Sequence, residues 1–138
     1  MIIMSVDLGR ARTGIAVSDN SETFAFPKTV ITEYNSEKLI EKIIKTAKQL
    51  KAELIVVGNP KNMDGSSGEK SNECTGIAEK IAEISGIETV LYDERCTTVI
   101  AHRTMRDNGK STKKHKKTVD AVAATVILED YLRYRKKV

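Results

Sequence analysis

The sequence predicts an α/β fold: a five-stranded mixed sheet, three antiparallel hairpin strands followed by two parallel strands, covered by helices. Apolar, β-rich runs open the chain, joined by two links, the first of them Gly-containing, that are too short for a parallel crossover. Beyond residue 36 apolar residues recur at helical spacing. Two later apolar runs are each reached through such a helical stretch, as parallel strands require.

The first strands are predicted over Ile2 to Val6, Gly14 to Ser18 and Thr23 to Ile31, the last interrupted by Pro27. Leu39, Ile40, Ile43, Ile44, Ala47 and Leu50 mark an amphipathic helix beginning at Ser36. Glu53 to Val57 reads as a buried strand ending at Gly58-Asn59-Pro60. Ile77, Ala78, Ile81 and Ile84 mark a second helix stopped by Gly86. Ile87 to Tyr92 is the fifth strand, Thr97 to Arg106 a helix and Asp107 to Lys117 a basic loop. Val122, Ala123, Val126, Ile127 and Tyr131 lie on a final helix over Thr118 to Tyr134.

With 138 residues, 40% of them hydrophobic and 30% charged, the chain (1–138) suits one domain. Its apolar stretches fall far short of the roughly 20 residues of a membrane span. No basic region precedes the apolar start, so secretion is not expected and a cytoplasmic location is. Cys74 and Cys96 form no Cys-x-x-Cys pair and read as reduced packing residues. The net charge of +4 is concentrated: residues 103–117 contribute +6, leaving the remainder at −2. Such a block suits a polyanion, although a solvated Lys-rich loop is an equally ordinary explanation.

Asp7 ends a strand expected near the sheet centre, on the same face as Ile3 and Ser5. A carboxylate there needs a metal ion, an Arg such as Arg10 or Arg12, or simple exposure at the strand tip. Asp93-Glu94-Arg95 follows the fifth strand, where α/β sheets tend to build sites; either acid would also suit the start of the next helix. Asp120 falls in the first turn of the last helix, where an acid is ordinary and an ion pair with the preceding lysines is possible. Acids at element ends that one sheet brings together suit a divalent metal: Mg²⁺ takes hard oxygen ligands, and paired ions can drive phosphodiester hydrolysis.

Other chemistries are excluded. Gly109-Lys110-Ser111 lacks the earlier glycine of a P-loop. His102 and His115 lack zinc-site spacing. Cys96 sits beside Arg95 without an oriented base.

The run Asp7-Leu8-Gly9-Arg10-Ala11-Arg12-Thr13-Gly14-Ile15-Ala16-Val17-Ser18-Asp19 resembles the opening motif of the YqgF family, also called RuvX, of the RNase H-like superfamily. Val56-Val57-Gly58-Asn59-Pro60 with Asp64-Gly65 and Gly68, then Asp93-Glu94-Arg95-Cys96-Thr97-Thr98, then Val119 to Leu128, resemble its remaining blocks in order, over nearly the whole chain. Asn59 stands where the family more often has Leu. The resemblance implies an RNase H-like fold and a metal-dependent nuclease using Mg²⁺ or Mn²⁺ in a two-metal-ion reaction. It implies Asp7, Glu94 and Asp120 as catalytic, metal-binding acids, with Asp93 the alternative to Glu94. Arg12, Arg95, Lys110, Lys113, Lys114, Lys116 and Lys117 would bind nucleic acid phosphates. The implied role is 5′-end processing of pre-16S ribosomal RNA, with resolution of DNA four-way junctions as the alternative, by a monomer or homodimer. A catalytically silent nucleic-acid-binding module would keep the fold and the basic segment but has no need of the three acids. The Asp-x-Gly of the first strand also occurs in sugar kinases and actin-like ATPases, which need two such domains.

Overall fold

The computed structural model describes residues 1–60, 68–94 and 113–137, the side chains of the last helix over 122–136. Its strands are β1 (Ile3–Asp7), β2 (Arg12–Ser18), β3 (Ala25–Thr32), β4 (Leu54–Asn59) and β5 (Glu88–Asp93). Its helices are α1 (Ser36–Leu50), α2 (Glu69–Ser85) and α3 (Lys113–Lys137). The sheet order is β3-β2-β1-β4-β5, with β1–β2 and β2–β3 antiparallel and β1–β4 and β4–β5 parallel. This is the mixed sheet that the link lengths predict, with β1 at its centre.

Alternation along β1 and β4 divides the core. Met4, Val6, Ile55 and Val57 face α1 and α2, meeting Leu39, Ile40, Ile43, Ile44, Ala78 and Ile81. Ile3, Leu54 and Val56 face α3, meeting Ala123, Ala124, Ile127, Leu128 and Tyr131. The adjacent alanines let α3 lie close to the sheet, and Ser5 Oγ donates a buried 2.7 Å hydrogen bond to the Ala124 carbonyl. Asn35 caps α1 by accepting from Lys38 N at 3.0 Å, and Gly86, at φ 73°, stops α2 as its sequence position predicts.

Three elements differ from the sequence reading. β4 continues through Gly58 and Asn59, beyond the expected last strand residue Val57. Pro27 does not break β3: it sits on an edge strand, at a register shift where Ile15 pairs with Thr29 and Ala16 with Pro27, so the missing N–H interrupts no continuous ladder. The basic segment 107–117 is not a loop throughout, because α3 begins at Lys113 and takes in Lys114, Lys116 and Lys117. Lysine is a good helix former, and this helix carries no acid in its first turn to mark its start. The helix predicted over Thr97 to Arg106 lies outside the described residues.

Candidate active site

The central strand delivers Asp7 to the carboxyl edge of the sheet with 1% of its surface exposed. Simple exposure at a strand tip therefore does not account for this acid. Since Val6 pairs with Val57 in the parallel β1–β4 ladder, Asp7 comes next to Gly58, on the face that looks toward α3.

Glu94, directly after β5, is also 1% exposed. Val90 and Tyr92 pack toward α3, and the alternation that places them there sends Glu94 to the same side and Asp93 to the other. Gly58 makes room for it. A Cβ at that position would overlap Glu94 Oε1 and come within 2.8 Å of Ile127 Cδ1. The Glu94 carboxylate thus lies over β4, in the sheet position adjacent to Asp7.

The third acid is placed only by its backbone. Residue 120 lies in α3, one turn before Ala124, the residue that Ser5 holds. Ser5 and Asp7 are two apart on one face of β1, about 7 Å, and one helical turn spans about 5.4 Å. The end of α3 carrying residue 120 is therefore the end that approaches Asp7, because α3 runs antiparallel to β1: Arg135, near its far end, and the Met1 amino group both bind Glu22. Among the described residues no group of three His, Cys, Asp or Glu side chains converges, and the Asp120 side chain is outside them.

Arg12, half-buried, opens β2 opposite Thr32, while Lys113, Lys114, Lys116 and Lys117 occupy the first turns of α3. Arg95 and Lys110 lie outside the described residues. The oxygens of Asp7 and Glu94 are hard donors suited to Mg²⁺ or Mn²⁺. The nearby thiol does not compete: burial pushes Cys74 up to about 11, with Glu94 and Glu73 adding to the rise and Lys70 opposing it, so it is protonated at neutral pH.

Two positions important to this geometry had no functional reading in the sequence. Gly58 stands at the expected end of the strand, yet Leu54, Val56 and Gly58 alternate onto one face, which is the available signal. Ser5 shares the face of Asp7 but carried no chemistry of its own. Asn59, the departure from the family pattern, is buried and accepts a hydrogen bond from Ser71 Oγ, which ties the end of β4 to the first turn of α2.

Residues 1–134 match the family model of RuvX, described as Holliday junction resolvase. The chain belongs to the RuvX family. Similar RuvX relatives include proteins named "Putative pre-16S rRNA nuclease" from Clostridium botulinum (strain Eklund 17B / Type B), 40% identical with 96% of each chain covered, and from Clostridium acetobutylicum, 39% identical with 96% of this chain and 98% of the other covered. In fold this RuvX chain is similar to Thermus thermophilus RuvC, with a TM-score of 0.61 at 12% identity over 99% of this chain and 97% of that one. It is also similar to the fowlpox virus Holliday junction resolvase, with a TM-score of 0.54 at 14% identity over the full length of both. These are RNase H-like folds, as the resemblance implied.

Proposed function

We propose that this protein is a nuclease, a hydrolase of nucleic acid phosphodiester bonds, acting in the cytoplasm on structured precursor RNA in 5′-end processing of pre-16S ribosomal RNA. The observation that carries the reading is the burial of Asp7 and Glu94 side by side on one face of the sheet, over a glycine that leaves the space. Two carboxylates set side by side on one face offer hard oxygen donors to a single space, the donor set that a divalent cation takes. The names of the relatives favour the RNA substrate.

In this reading Asp7, Glu94 and Asp120 hold Mg²⁺ or Mn²⁺. Two such ions, when bound, supply an activated water and neutralise the leaving oxygen of the phosphodiester. Asp7 is fixed by the central strand, and Glu94 is seated over Gly58 against Ile127. Asp120 is brought in by α3, whose distance from β1 is set by the Ser5–Ala124 hydrogen bond. Arg12, Arg95, Lys110 and the lysines of α3 bind phosphates flanking the cut and orient the strand without reading its sequence.

The test is parallel cleavage of a structured ribosomal RNA precursor and a DNA four-way junction, with Mg²⁺, Mn²⁺ or EDTA. Wild type should cut the RNA only with metal. Asp7→Asn should lose at least about 100-fold in rate, since residues that merely orient metal ligands already cost 10–100-fold, while the fold persists. Full activity in Asp7→Asn would refute the metal-acid assignment. Symmetric nicking of the junction alone would make the protein a resolvase, and binding without cutting would make it the silent module.

A further inference from the structure

On the other side of the carboxyl edge from the buried acids lies a groove of about 690 Å³. It opens between the Leu8–Arg10 turn, which leaves β1 directly after Asp7, the segment leading into α1 with the first turns of that helix, and the side of α2 that meets them. Two features of its lining have no explanation among the described residues. Tyr34 stands 79% exposed at its edge, an aromatic ring left in water. Gly76 lies in the interior of α2, where glycine is among the least favourable residues. Its φ is not left-handed, and a Cβ there would meet no described residue within 4 Å, so among the described residues neither backbone strain nor close packing calls for it. A glycine at that point leaves the floor of the groove open, with room for a bound group.

The lining indicates what kind. Arg10 and Lys70 offer cations, but Glu69 and Glu73 stand among them, so the groove is no simple phosphate site. Carboxylates accept hydrogen bonds from ribose hydroxyls and from base amino groups, and an exposed tyrosine is a stacking surface. Two residues span at most about 7 Å, so the start of the groove at Gly9 is that close to Asp7 along the chain.

We infer that this groove seats an unpaired ribonucleotide of the substrate strand next to the scissile phosphate. Its base stacks on Tyr34, and its sugar passes over Gly76 with the 2′-hydroxyl donating to Glu69 or Glu73. Arg10 and Lys70 hold the adjoining phosphates. The inference rests on the nuclease reading for its role, but its test does not depend on catalysis.

A labelled single-stranded RNA decamer and the DNA decamer of the same sequence are titrated in EDTA against wild type, Tyr34→Ala, Tyr34→Phe, Gly76→Ala and Gly76→Leu. Wild type should bind the RNA more tightly than the DNA. Tyr34→Ala and Gly76→Leu should raise the RNA Kd about tenfold or more, the range of one lost base stack, and Tyr34→Phe should leave it near wild type. Gly76→Ala should bind more weakly while raising Tm by a few degrees, because alanine favours the helix; reduced binding in a more stable protein separates occupancy of the groove from damage to the fold. With metal present, the variants should raise KM and keep kcat. Unchanged RNA affinity in Tyr34→Ala and Gly76→Ala, or equal affinity of wild type for RNA and DNA, would overturn the inference. Failure of the nuclease reading shows separately, as cleavage that does not depend on Asp7.

Discussion

At the scale of single residues, Gly58 governs the site as much as the acids do. The atoms that a Cβ would strike are the ends of the Glu94 and Ile127 side chains, which can move. Gly58→Ala should therefore fold with Tm changed by only a few degrees, yet displace the Glu94 carboxylate and lower cleavage at least tenfold, in the about 10–100-fold range of lost ligand orientation. Rate and thermal unfolding measured on one preparation check this, and full activity would show that Glu94 need not lie over β4. Asp19 illustrates a purely structural acid: hydrogen bonds from Ser21 Oγ and from the backbone of Phe24 and Thr23 hold it at about 2, below its ordinary 3.8, and organise the β2–β3 turn.

At the scale of elements, α3 joins the face that bears the two buried acids to the basic segment. One helix carries Lys113, Lys114, Lys116 and Lys117 in its first turns, residue 120 just beyond them, and then the alanines that pack on the sheet. Changing the four lysines to Gln should weaken binding to RNA and DNA alike. It should also flatten the dependence of log K on log salt by roughly 0.7–0.9 for each phosphate contact removed. Binding measured across a salt series decides the matter: an unchanged slope would mean that the lysines only solvate the helix end.

At the scale of the whole molecule, a clasp closes the chain far from the site. Glu22, in the β2–β3 turn, accepts from the Met1 amino group at 3.2 Å and from Arg135 Nε at 2.8 Å, linking the first residue, a hairpin and the end of α3. Burial opposes the charge on Glu22, but the hydrogen bonds from Arg135 and the N-terminus outweigh it and hold the carboxyl below its ordinary 4.5. A carboxyl lowered in the folded state stabilises fully above its unfolded value and loses that contribution as pH falls through the lowered one. Glu22→Gln should thus cost about 1 kcal/mol near pH 7, a Tm loss of about 4 °C. The deficit should shrink as pH drops below about 4.5, where the wild-type carboxyl protonates too. Thermal melts of both proteins from pH 7 to pH 3 test this; a deficit constant across that range would show that the carboxylate charge contributes nothing.

The sequence by itself determined the order and type of the described elements, because period-two and period-3.6 patterns and short hairpin links are local properties of the chain. It also marked Asp7 and the Asp93-Glu94 pair as acids at strand ends, since position along a strand is local as well. Only the tertiary structure decided that Asp7 is buried and that Glu94, not Asp93, shares its face, because both depend on the register of β1, β4 and β5. The roles of Gly58 and Gly76 were hidden for the same reason. A glycine has no side chain to report its purpose, and the space it leaves is defined by residues distant in sequence: Glu94 and Ile127 fill it at Gly58, and none of the described residues does at Gly76.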